Sequence, residues 1–222
     1  MSDLKRYSVF DMDRTVTRSG TYSPWLLHFA LREAPWRLAL LPLSVLAALA
    51  YVAGFVSRGR LKEINHHLLM GTRVQPERLA RRVESYADVV VPGRCFKDAI
   101  ARIAAEQAEG REVVLATASY AFYVRAIADR LGVDRIVATG SKHDTGGAVL
   151  ARLEGENCYD GAKLRMVEAA LPPKDSLHVR FFSDHHSDAP MFEWADEAVA
   201  VNPTPKLRAL AEARRWQVVE WS

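Results

Sequence analysis

The stretch YSVFDMDRT, residues Tyr7 to Thr15, decides how the rest of the chain is read. Tyr7 to Met12 is a short apolar run that ends among acids, which predicts a buried strand with polar groups beyond its C-terminal end. The pattern recurs downstream. EVVLA (Glu112 to Ala116) runs into Thr117, and the apolar run from Leu177 to Phe182 runs into Ser183-Asp184. Further strands are expected at 135–138 and 198–201, and helices at 94–109, 120–131, 161–171, 189–194 and 205–215. A hairpin is expected around Gly146-Gly147. Strands alternating with helices predict a doubly wound parallel α/β sheet that binds ligands beyond the strands' C-terminal ends.

Between the first two strands the chain reads differently. From about Ser23, a helix N-cap before Pro24, to Ala87 the pattern is helical, with breaks expected at Pro35, Gly59 and Gly71 to Pro76, and Pro92-Gly93 closes the block. The expected organisation is therefore a core of residues 1–20 and 93–222 with an all-helical cap, 21–92, inserted into it.

A chain of 222 residues, 49% apolar and 26% charged, has the composition of an ordinary globular domain, which excludes disorder, collagen-like repeats and a polytopic membrane protein. The net charge of +3 is too small to argue for nucleic acid, and none is expected as a partner. Its distribution is uneven. From His28 to Arg82, nine Lys/Arg face three Glu, a net of +6 that leaves −3 for the rest. Cys95 and Cys158 stand in no disulfide or zinc spacing, and the N-terminus MSDLKRYSVF has no signal-peptide pattern, so a cytoplasmic location is expected.

Acids gathered at strand ends repel one another unless they share a cation, and oxygen donors without thiols favour Mg²⁺. Asp11, Asp13, Asp184 and Asp188, with Thr117 and Lys163, make a set suited to metal-assisted phosphoryl transfer. In this order, DxDxT (Asp11 to Thr15), Thr117 in a TAS sequence, Lys163 and SDxxSD (Ser183 to Asp188) resemble the haloacid dehalogenase-like phosphatase superfamily. Within it they are similar to the phosphoserine-phosphatase-like subclass, whose helical cap lies between the first and second motifs. The likeness runs through the ending AVNPTPKLRALAEARRWQVVEW.

The resemblance implies that Asp11 is the nucleophile and Asp13 the acid and base. Thr117, Ser119, Lys163 and Arg14 would contact the substrate. Asp11, the Asp13 carbonyl and Asp184 would hold Mg²⁺, with Asp188 either supporting that shell or holding Lys163. Two departures stand out. Arg14 occupies a turn position where the family commonly has a small residue, and reads as either a phosphate contact or a solvent-facing turn residue. His185-His186 fill positions often small or polar, and a structural role is expected for both. His66-His67 lack zinc spacing and read as surface or interface residues, while His28, His143 and His178 carry no functional claim.

Leu38 to Val56, LALLPLSVLAALAYVAGFV, has no charge and is followed by Arg58, Arg60 and Lys62. A single membrane crossing there would strand Asp11 on one side and Lys163 on the other. Two readings remain: a helix buried in the cap, or a monotopic helix at the membrane interface, where Arg37 and the three following bases would meet an anionic leaflet. This block resembles the apolar cap of bacterial phosphatidylglycerophosphatase C proteins. The expectation is a Mg²⁺-dependent phosphomonoesterase acting on a lipid phosphate at the inner face of the cytoplasmic membrane. The alternatives are a soluble phosphatase of the phosphoserine type and a non-catalytic membrane-associated binding module.

Overall fold

The structure is a computed structural model and describes residues 4–222. Its strands are β1 (Lys5–Phe10), β2 (Arg73–Val74), β3 (Glu112–Tyr120), β4 (Arg135–His143), β5 (Val149–Glu154), β6 (Leu177–Ser183), β7 (Glu197–Val201) and β8 (Gln217–Val219). They form an eight-stranded sheet in the order β2-β5-β4-β3-β1-β6-β7-β8. From β4 to β8 every neighbouring pair is parallel, and β5 and β2 add an antiparallel edge. The chain leaves central β1 for β3 on one side and later crosses to β6 on the other, so a crevice opens beyond the C-terminal ends of these three strands.

Helices α1 (Tyr22–Glu33), α2 (Leu41–Val52), α3 (Arg58–Leu69) and α4 (Pro76–Arg94) precede β3, apart from β2, together with α5 (Lys97–Ala108). Then come α6 (Ala121–Arg130), α7 (Gly161–Ala170), α8 (Ala189–Trp194) and α9 (Pro205–Arg214). Successive strand residues face opposite sides, and this alternation divides the interior. Phe10, Leu115 and Phe182 pack against α1, α4, α5 and α6, while Val9, Val114 and Phe181 pack against α7, α8 and α9. Phe10 and Phe182, register partners, stack with ring centroids 4.2 Å apart.

The insertion is pinned at its neck: Arg18 N–H donates to the Arg94 carbonyl (2.7 Å) and Phe96 N–H to that of Val16 (3.0 Å). The exit therefore falls at Cys95-Phe96. Pro92 and Gly93, expected to end the block, lie inside α4. Proline there sacrifices only the bond from its missing N–H to the Asp88 carbonyl, a small loss in a last turn. The expected break at Gly59 lies instead at 53–57, before Ser57, whose hydroxyl caps α3 by accepting from Arg60 N–H. Trp25, Leu69, Val83 and Tyr86 of the insert share one apolar cluster with Phe10 and Tyr123, so cap and core have a continuous interior.

The apolar stretch is not one α-helix. Pro35–Leu40 is a 3₁₀ segment that runs without a break into α2, and together these 18 residues are long and apolar enough, by length and composition alone, to cross a bilayer core of about 30 Å. None of the 18 residues from Pro35 to Val52 is buried, which overturns the reading of a helix hidden in the cap. The physical reason is layering: α2 rests on α3, where Ser44 hydroxyl donates to Asn65, and among the described residues no further layer lies over its outer side. Val52 and Phe55 are 80% and 86% exposed. Of the two readings for His66, surface or interface, the structure gives the second: it is buried between cap and core, edge-on to Tyr120 and Phe122, and burial pushes it down to about 4, leaving it neutral.

Candidate active site

Asp11 follows the last residue of β1, and its N–H donates to the Phe182 carbonyl (2.9 Å), fixing it between the ends of β1 and β6. The chain then turns sharply, with Val16 and Thr17 N–H both donating to the Met12 carbonyl at 2.9 Å. Arg14 stands in this turn at φ 68°, the left-handed region that costs a residue with a Cβ about 1–2 kcal/mol. That conformation explains why a small residue is usual here. It also directs Arg14 into the cleft.

Lys163 enters from the first turn of α7, which Asp160 caps by accepting from Gly161 N–H (2.7 Å). Its ammonium donates to Asp11 Oδ1 (2.8 Å) and Asp188 Oδ2 (2.7 Å). Asp188 thus holds Lys163, and the Ser183 hydroxyl donates to the same oxygen (2.6 Å). Asp188 Oδ1 is buried without a partner. Asp184 follows β6, and Thr15 hydroxyl lies 3.4 Å from its Oδ1 and 3.3 Å from Asp11 Oδ2.

Asp11 and Asp188 therefore share one buried ammonium, and Asp184 adds a third buried carboxylate to the same cleft. Burial pushes Asp11 up to about 8, with Lys163 opposing and Asp188 and Asp184 adding to the rise. Burial and Asp188 push Asp184 up to about 6, against Lys163 and Arg14. Burial disfavours the Lys163 charge, but Asp11 and Asp188 outweigh it and hold the lysine above its ordinary range.

Asp13 is held differently. Its Oδ1 accepts from Thr21 N–H (2.8 Å) and hydroxyl (2.7 Å), and its Oδ2 from Ser119 hydroxyl (2.8 Å). Ser119, expected against the substrate, spends its hydroxyl on Asp13. Asp13's carboxylate is likewise engaged, so only its backbone carbonyl is free for a metal. Thr117, at the end of the β3 segment that pairs in register with β4, accepts from Ser119 N–H (3.1 Å), which leaves its own hydroxyl proton free to donate.

Asp11, Asp13, Arg14, Thr117, Lys163, Asp184 and Asp188 line one cleft of about 450 Å³. His185 also lines it, and its Nδ1 accepts from Ser187 N–H (3.2 Å), closing the local turn; His186 Nδ1 is buried and unpartnered. Sequence reasoning missed what the cap contributes: Tyr22, and Arg58, whose guanidinium stacks 3.8 Å over Tyr159. Lys62, expected to face an anionic surface, turns inward and is 6% exposed. The i, i+4 spacing of Arg58 and Lys62 was the available signal that both share one helix face.

Two raised carboxyls on hard oxygen donors, a backbone carbonyl nearby and no thiol in the cleft suit a small divalent cation. Among the described residues no three His, Cys, Asp or Glu side chains form a ready cage, so carbonyl and water oxygens would complete such a shell.

A strand-end carboxylate on a buried lysine, a second carboxylate two residues on, and a threonine across the cleft define a hydrolase of the phosphatase type. The family model for haloacid dehalogenase-like hydrolases matches residues 8–193. The chain belongs to that family. Protein CicA of Caulobacter vibrioides is 30% identical over 85% of this chain and 82% of its own. Phosphoserine phosphatase SerB1 of Mycobacterium tuberculosis is 32% identical over 49% of this chain and 36% of its own. A structure of a protein of unknown function from Bordetella pertussis Tohama I superposes with a TM-score of 0.86 at 25% identity, covering 97% of this chain and 98% of that one.

Proposed function

We propose that the protein is a Mg²⁺-dependent phosphomonoesterase working through an aspartyl-phosphate on Asp11, with a membrane lipid phosphate such as phosphatidylglycerophosphate as substrate. The observation that carries the chemistry is the excess of buried carboxylates over ammonium around Asp11. Asp11, the Asp13 carbonyl and Asp184 would hold Mg²⁺, which would supply the missing positive charge at the phosphoryl group.

Asp11 attacks phosphorus, the P–O bond to the leaving group breaks, and Asp13 delivers a proton to the departing oxygen. Lys163 and the Thr117 hydroxyl stabilise the charge on the phosphoryl oxygens. Asp13 then takes a proton from water, the water oxygen bonds to phosphorus, and the P–O bond to Asp11 breaks to release inorganic phosphate. Thr21 and Ser119 keep Asp13 aimed through both steps.

A linkage measurement tests the metal. Asp11 and Asp184 have folded-state values raised above the unfolded one, so their contribution is fully present below about pH 4 and is lost as pH rises through about 6 and 8. Thermal unfolding of metal-free protein should fall over that window, and millimolar-range Mg²⁺ should remove the slope. A slope that Mg²⁺ leaves unchanged would speak against the site.

The lipid reading is supported by the uncovered apolar ridge of α2, by the absence of any acid between Glu33 and Glu63, and by Tyr51 of α2 reaching a cavity beside the cleft. Leu46 and Phe55 would each contribute about 1.5–3 kcal/mol if withdrawn from water. Wild-type protein should float with vesicles containing phosphatidylglycerol. The pair Leu46→Glu and Phe55→Glu should lower the bound fraction about tenfold or more while leaving hydrolysis of a soluble phosphate intact. Wild-type protein that stays in the aqueous fraction would instead favour a soluble phosphatase of the phosphoserine type, the reading to which SerB1 points. No turnover of any phosphate ester would favour the non-catalytic module.

A further inference from the structure

Beside the cleft, and sharing Asp13, Tyr22, Arg58 and Ala118 with it, lies a second cavity of about 170 Å³. Its remaining walls are Tyr51, Leu61, Lys62 and Ser119. Lys62 reaches it from α3 across the interface between cap and core. Its ammonium donates to the Ala118 carbonyl and to Asn157 Oδ1 (2.6 Å). Both acceptors are already braced, because the Thr139 hydroxyl lies 2.8 Å from that carbonyl and 3.2 Å from that amide oxygen. The ammonium has three protons; among the described residues two go to these acceptors, and the rings of Tyr22 and Tyr120 lie 5.7 and 5.6 Å from it.

A buried charge on a mobile side chain is expensive to maintain, and here burial and the Arg58 guanidinium lower Lys62 to about 7, with Asp13 opposing. A structural pin between cap and core would need no charge. Lys62 and Asp13 line the same cavity, and Asp13 is the group read above as protonating the leaving oxygen, so a ligand atom here would belong to the part of the substrate next to the scissile bond.

Resting on the phosphatase reading above, we propose that Lys62 is a specificity-determining residue whose third proton is donated, within the small cavity, to an oxygen on the leaving group. The substrate class is then an alkyl phosphate with a hydroxyl or anionic oxygen close to the ester carbon, whether carried by a lipid headgroup or by a soluble polyol or hydroxy acid.

The test compares glycerol 3-phosphate with n-propyl phosphate, which share a carbon chain and ester type but differ in leaving-group hydroxyls. At about pH 6, where Lys62 is an ammonium, wild-type protein should prefer glycerol 3-phosphate in kcat/KM. Lys62→Met should lose about 10- to 100-fold on glycerol 3-phosphate and less than about threefold on n-propyl phosphate. Equal losses on both, or a wild type without preference, would overturn the proposal and leave Lys62 a structural pin. If Lys62→Met fails to fold, Lys62→Gln keeps a donor for Ala118 and should show the same selective loss. A wild type that hydrolyses neither ester while binding inorganic phosphate would count against the phosphatase reading itself, a result distinct from lost selectivity.

Discussion

Asp11→Asn is expected to lower turnover of any phosphate monoester by about 10⁴-fold or more while leaving the fold intact. The amide has the shape of the carboxylate, and its oxygen can still accept from Lys163, now 2.8 Å from Asp11 Oδ1, so the geometry survives. What disappears is the carboxylate proposed as the nucleophile. Where Asp11 is ionised, above about pH 8, the substitution also removes one negative charge from a centre crowded with buried carboxylates, so there the metal-free variant should unfold at the same temperature as wild type or higher. Near-normal kcat in a folded variant would remove Asp11 from the reaction.

Lys163→Met should be damaging in both respects. Catalytically it deletes the fixed positive charge beside the attacked phosphoryl group, a loss of about 10²–10³ in kcat for a single preorganised donor. Structurally it leaves Asp11 and Asp188, with side chains 10% and 4% exposed, without their cation, and breaking such a buried pair costs about 3–5 kcal/mol. The two effects separate with pH. Asp11, raised even beside the lysine, can take up a proton once the ammonium is gone, so the stability gap to wild type should narrow as pH falls through about 8. Activity should not return. Combining Lys163→Met with Asp11→Asn should recover part of the stability and none of the turnover, and additive stability losses in that cycle would show that the two residues are not coupled.

The parts of this site that were legible in the sequence are those fixed by local pattern. Asp11, Thr117 and Asp184 each follow an apolar run, and a strand that ends at a sheet crevice delivers the next side chain there. The parts that were hidden depend on contacts between distant segments. Nothing near Ser119 indicated that its hydroxyl would be taken by Asp13, a partner 106 residues away. Lys62 looked like one more base after an apolar run, and only the docking of α3 against Ala118 and Asn157 turns it inward.

The cap shows the same limit from another side. Composition marked 38–56 as apolar, but whether a helix is covered depends on how many layers the surrounding chain can supply. Here α3 covers one side of α2, and among the described residues no element covers the other. Pro92-Gly93 misled for a related reason: the strongest helix-breaking pair in the segment sits in a last turn, where a missing donor matters little, and the chain leaves the helix two residues later at Cys95.

Trapping the intermediate tests the central claim most directly. Protein turning over a phosphate monoester with Mg²⁺ is quenched in acid, reduced with borohydride and digested for mass spectrometry; an acyl phosphate at Asp11 is converted by this treatment to homoserine. The account predicts homoserine at position 11, absent without substrate and absent in Asp11→Asn. Reduction at another carboxylate, or brisk turnover with no reduced residue, would contradict it.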